Sequence, residues 1–278
     1  MSLMSKTLKT VGIGLQQSII YKNNFLLGFL SNAFGLVVQL VFWPVFFSSG
    51  AEFGYSTVES TTIAGYQLNE MMTYSILIYF IQRGTSMMNI GGDIKGDIMS
   101  GSLNIHFIRP VKYLWLKWVL SISGQLINFV LSLFVFLGIS VFLKSFFIFP
   151  GDSTQMLMVI LFVFFAYILS FLINCIFGML SFWLLEIGAL NAFIGMGISI
   201  LSGAIFPIDF INNKIGLFIK YLPFSYLAFV PTQIYLGKLS VDGLTQNILI
   251  CVFWIISLTI IANKLWKCGI RRYSAFGG

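Results

Sequence analysis

RGTSMMNIGGDIKGDIMSGSLNIHFIRPVKY, residues 83–113, is the one long run of this chain that is polar, glycine-rich and basic at both ends. It separates two apolar segments of membrane length. Such a loop belongs in water, and its basic residues favour the cytoplasmic side. Met87, Ile90, Ile94 and Ile98 recur at intervals of three and four, so they share one helical face, while Asp93 and Asp97 fall on a polar side. Gly91, Gly92, Gly96 and Gly101 weaken an isolated helix but let backbones approach closely. The pattern predicts a short helix stabilised by docking. Arg109-Pro110 closes the loop, because proline disfavours helix at the residue before it.

The rest of the chain explains why this loop stands out. Of 278 residues, 58% are hydrophobic and 9% charged, with mean hydropathy +0.94. Soluble domains carry about 25% charged residues. So few charges cannot cover so much apolar surface in water, and the bilayer is the main solvent. The net charge of +7 is spread over segment ends, which suits orientation against anionic lipid and not nucleic-acid binding. Cys175, Cys251 and Cys268 suggest neither a disulfide nor a metal site. The first apolar run is too long for a cleavable signal peptide.

In chain order, residues 1–24 read as an amphipathic helix lying on the cytoplasmic leaflet, with Met4, Leu8, Val11, Leu15 and Ile19 at helical spacing. Six spans follow, at about 25–47, 64–82, 114–143, 155–180, 189–206 and 244–265. Gly28, Ser31 and Gly35 place a small-residue stripe on the first span. Glu70 lies in the second, either at the outer interface or along a cargo path. Lys117 starts the third and can snorkel. Gly188, Ala192, Gly195, Ser199 and Gly203 form a second small-residue stripe along the fifth. Residues 207–243 contain Pro207, Pro223 and Pro231 and three lysines, and read as short broken helices at the outer face. With both termini inside, twelve basic residues are cytoplasmic (Lys6, Lys9, Lys22, Arg83, Lys95, Arg109, Lys112, Lys117, Lys264, Lys267, Arg271 and Arg272). Four are outside: Lys144, Lys214, Lys220 and Lys238.

No G-x-x-x-x-G-K-[ST] motif occurs, so no P-loop ATPase is expected within the chain. H-E-x-x-H and G-x-S-x-G are also missing, and His106 is the only histidine. The amphipathic start, six spans, inner loop and broken outer helices together resemble the permease subunits of type-2 ABC exporters. The likeness is sharpest at Asp93-Ile94-Lys95-Gly96-Asp97-Ile98-Met99-Ser100-Gly101-Ser102-Leu103 followed by Ile108-Arg109-Pro110. One departure is His106, where the family pattern has an aliphatic or aromatic residue.

The resemblance implies an all-α integral membrane protein in which residues 87–103 form a coupling helix. Met87, Ile90, Asp93, Ile94, Gly96, Asp97, Ile98, Gly101, Leu103 and Arg109 would carry coupling to a separate ABC ATP-binding subunit, itself a dimer holding ATP and Mg. Ile94 and Ile98 would seat in a groove of that subunit, with Asp93 and Asp97 at its rim. A second permease chain, identical or homologous, would pair through spans 1 and 5, which would line the route. The expected location is the plasma (inner) membrane. Two alternatives remain: an immunity or mechanotransmission subunit of the same architecture that moves no cargo, and a polytopic membrane enzyme.

Overall fold

The computed structural model describes residues 22–52, 62–85, 88–107, 112–184, 188–211, 213–239 and 241–273. These form ten α-helices joined by turns and short 3-10 segments, with no strand beyond the isolated Ile63–Tyr66 bridge. Nearly all of the amphipathic stretch expected at residues 1–24 lies outside the described residues, as do Met87, Ile108, Arg109 and Pro110.

The helices are α1 (Lys22–Glu52), α2 (Leu68–Thr85), α3 (Met88–Met99), α4 (Leu103–Phe107), α5 (Tyr113–Phe142), α6 (Ser153–Met179), α7 (Gly188–Leu201), α8 (Asn213–Lys220), α9 (Phe229–Tyr235) and α10 (Val241–Arg272). Tyr113–Phe142, Ser153–Phe182 and Gly243–Arg272 are long and apolar enough to cross a membrane. Ala33–Ser48 and Ala192–Leu201 are shorter apolar helical stretches. At 1.5 Å per residue, α10 spans about 48 Å and outruns a hydrocarbon core of about 30 Å. Its last turns therefore carry Lys264, Lys267, Arg271 and Arg272 clear of the apolar region.

α2 is the centre of the bundle. Met71 to Tyr79 is buried without a break, although its sequence is the least apolar of the expected spans. It packs on α1, α5 and α6. Thr73, Tyr74, Ser75 and Thr85 on it are satisfied locally or across helices. The Trp43 indole donates to Ser75 Oγ at 3.0 Å, and Ser75 donates in turn to the Met71 carbonyl. Phe80 stacks into an aromatic file with Phe129, Phe136 and Phe147. α6 is the second axis and takes α3, α9 and α10 on its flanks. Asp152 caps its first turn by accepting from the Thr154 amide at 3.2 Å.

Residues 207–239 are broken as the prolines predict: a 3-10 turn at Ile208–Phe210, then α8, a second 3-10 turn at Ser225–Leu227, and α9. The first and last helices run beyond the expected spans, to Glu52 and Arg272, and two other boundaries fall short of the sequence reading. Residues 63–66 form a tight turn with left-handed Ala64 and Gly65, so the second helix begins only at Leu68. α7 stops at Leu201, because the next residues turn sharply through Gly203 at φ +74°. Gly203 is thereby removed from the small-residue stripe. Its carbonyl accepts from the Tyr74 hydroxyl at 2.6 Å, and a Cβ there would meet that oxygen at 2.9 Å and Phe229 at 3.1 Å. It shapes an internal turn and does not offer a face to another chain.

Candidate functional site

Three polar centres interrupt the apolar bundle. The first lies on the loop expected to couple. α3 docks on α6 at a glycine–glycine contact: a Cβ on Gly178 would sit 2.7 Å from the Gly91 carbonyl and 3.0 Å from Ile94 Cβ. Without side chains on either glycine, the two backbones meet closely enough for dispersion to hold them. Ile90, Ile94, Ile98 and Leu103 turn inward and are buried, Ile94 and Leu103 completely. The expectation that Ile94 and Ile98 seat in a partner's groove is corrected, since their face is already filled by this chain's own helices. What α3 leaves outside is Gly92, Asp93, Gly96 and Met99, followed by Ser100. Gly101, at φ +77°, ends the helix in the left-handed conformation that glycine adopts without penalty.

Asp97 is not a rim residue either. It accepts from Lys117 Nζ at 2.7 Å, the Tyr113 hydroxyl at 2.6 Å and Ser102 Oγ at 3.2 Å. Desolvation by burial raises its carboxyl, but the bonds from Lys117, Tyr113 and Ser102 outweigh that and hold it below its ordinary value. Lys117, expected to snorkel into the headgroups, is tied down as the partner of Asp97. Tyr113 stacks flat on Trp266 of α10 at 4.7 Å, and Trp266 meets Phe182 edge-on at 5.9 Å. One carboxylate thus joins α3 to the start of α5, and one aromatic stack carries the contact on to α10.

The second centre lies at the opposite end of α2. Glu70 accepts from Lys238 Nζ at 2.9 Å, and that ammonium also lies 4.0 Å above the Tyr66 ring. Asp209 accepts from Lys220 Nζ at 2.6 Å and from the Tyr66 hydroxyl at 2.5 Å. Gln233 donates to both Tyr66 and Asp209. Tyr66, Asp209, Lys220, Gln233 and Lys238 border a pocket of about 350 Å³. Glu70 is thus an ion-pair partner, and two lysines of the expected outer segment are neutralised locally.

The third centre is a groove of about 500 Å³ walled by α1, α2, α5, α6 and α7. It gathers Gly35 from the first small-residue stripe with Gly195 and Ser199 from the second. Ala192 is exposed on α7. Gly28, Ser31 and Gly188 fall within α1 and α7, but their surroundings lie outside the described residues. Sequence reasoning missed the groove's polar lining: Gln39, Gln82, Asn128 and Asn174, with Arg83 at its end. A usable signal existed, because isolated carboxamides inside apolar spans are costly unless they have a task. Asp209, Tyr66 and Gln233 had no such signal, being joined only by tertiary contacts.

A family model described as "ABC-2 family transporter protein" matches residues 34–277. The chain therefore belongs to the ABC-2 transporter family: it is a multi-pass membrane protein of transport-subunit type. Members of this family associate in general with an ABC ATP-binding subunit. No curated protein matches the chain.

Proposed function

We propose that this chain is the permease of an ATP-driven exporter and that α3 with α4 is its coupling element. The carrying observation is the way α3 is held: an apolar face closed against α6, a carboxylate fixed to α5, and a face of Gly92, Asp93, Gly96 and Met99 left outside. A docked helix of this kind moves as one piece with the bundle, so a push on its outer face is passed to α5, α6 and α10. Two ATP-binding subunits, carrying ATP and Mg, supply that push. A second permease chain completes the complex, with the groove between α1 and α7 on the route. Both termini lie on the cytoplasmic side of the plasma membrane.

Gly96→Trp together with Gly92→Trp tests the docking face. A Cβ at either position meets nothing within 4 Å, so the fold accepts the new side chains while the outer face is blocked. Co-purified ATP-binding subunit should fall about tenfold or more, since about 1.4 kcal/mol of lost contact already gives that factor. Full recovery of the subunit, with unchanged cargo-stimulated turnover, would remove α3 from the coupling role.

A further inference from the structure

The groove beside α1 and α7 holds a guanidinium, Arg83, whose neighbour among the described residues is the neutral Tyr79 hydroxyl and not a carboxylate. Arg83 takes part in none of the ion pairs among the described residues, which go to Asp97, Asp209 and Glu70. Gln82 beside it and Asn128 on α5 make no side-chain hydrogen bond among the described residues. All three are half-buried and face the same cavity, and among the described residues no Asp or Glu lines it. The other two centres differ, because there Asp97, Asp209 and Glu70 are each paired with a lysine. A guanidinium held in a poorly solvated groove without a carboxylate favours an anion. Its planar fork matches phosphate oxygens two at a time, and carboxamide N–H groups add neutral donors.

The remaining walls are apolar. Leu36, Ile78, Ile198 and Leu227 line the cavity. The helices that frame it turn Phe34, 70% exposed, and Phe193, 77% exposed, outward. The volume lies within the range of ligand pockets, about 300–1,000 Å³. We infer that the groove binds a phosphate-bearing amphiphile: Arg83, Gln82 and Asn128 hold the phosphate, and the apolar part lies along α1 and α7. That such an amphiphile is also moved rests on the exporter reading. That the groove holds it does not, so the test uses the full chain without any ATP-binding subunit.

The chain is reconstituted in phosphatidylcholine nanodiscs containing a minor share of phosphatidylglycerol, then transferred to detergent, and retained lipid is read by native mass spectrometry. Phosphatidylglycerol should be retained in preference to phosphatidylcholine. Arg83→Gln should lower that retention about tenfold, the scale of one charge-assisted hydrogen-bonding partner, and Arg83→Lys should lower it less. Asn128→Leu, which keeps the arginine, should also weaken retention, and it decides the matter if Arg83→Gln fails to insert. Lys264→Gln removes an exposed charge outside the groove and should change nothing. Persistence of bound lipid in excess inorganic phosphate assigns the site to the amphiphile. Displacement by inorganic phosphate overturns the amphiphile and leaves a free-anion site. Equal retention of the two lipids by the unaltered chain, or equal losses in Arg83→Gln and Lys264→Gln, overturns the proposal.

Discussion

Asp97 shows how much one side chain can organise. Its three donors come from both sides of the loop, so the carboxylate fixes where α3 sits relative to α5. Asp97→Asn keeps the shape but removes the charge from the bond to Lys117, whose side chain is only 11% exposed. The expected loss is about 1.5–3 kcal/mol, the usual contribution of a hydrogen bond to a charged group. Thermal unfolding of the purified chain in detergent would measure it. The pH dependence has a fixed sign. A carboxyl held below its ordinary 3.8 contributes fully above that value and loses its contribution as pH falls through the lower folded value. The gap between the unaltered chain and Asp97→Asn should therefore be constant at neutral and mildly acidic pH and should close only below about pH 4.

At the scale of elements, α3 marks both the reach and the limit of sequence reading. The spacing of Ile90, Ile94 and Ile98 correctly gives one apolar face, and the glycines correctly give a close approach, made between Gly91 and Gly178. Periodicity says that a face is buried. It does not say against what, because a groove on a partner and a helix of the same chain demand the same residues. Gly178 sits amid an apolar span and gives no local hint that it receives α3. Ile94→Ala should consequently act on folding, costing about 2–5 kcal/mol as a buried aliphatic truncation does. It should lower the amount of inserted chain or its unfolding temperature. At matched permease levels, recovery of the ATP-binding subunit should stay unchanged, which separates Ile94→Ala from the paired tryptophan substitutions at Gly92 and Gly96.

For the whole molecule, composition alone requires a membrane, and charge placement gives an orientation that labelling can check. In a Cys268→Ser background, a cysteine at exposed Ser145 should react with an impermeant thiol reagent in intact cells, and one at exposed Ser100 should not. The opposite pattern would invert the bundle and take α3 away from a cytoplasmic partner. The lysines of residues 207–239 weaken the charge bias in the sequence. The fold lessens that difficulty by pairing Lys220 with Asp209 and Lys238 with Glu70. No spacing rule could reveal the second pair, whose members are 168 residues apart. That separation also sets a timetable for biogenesis. At about 5–20 residues per second, the ribosome delivers Lys238 roughly 10–30 s after Glu70. Throughout that interval α2, the future centre of the bundle, carries an unmatched acid. The nascent chain must keep this helix near water or in the keeping of the insertion machinery until its last third has been made.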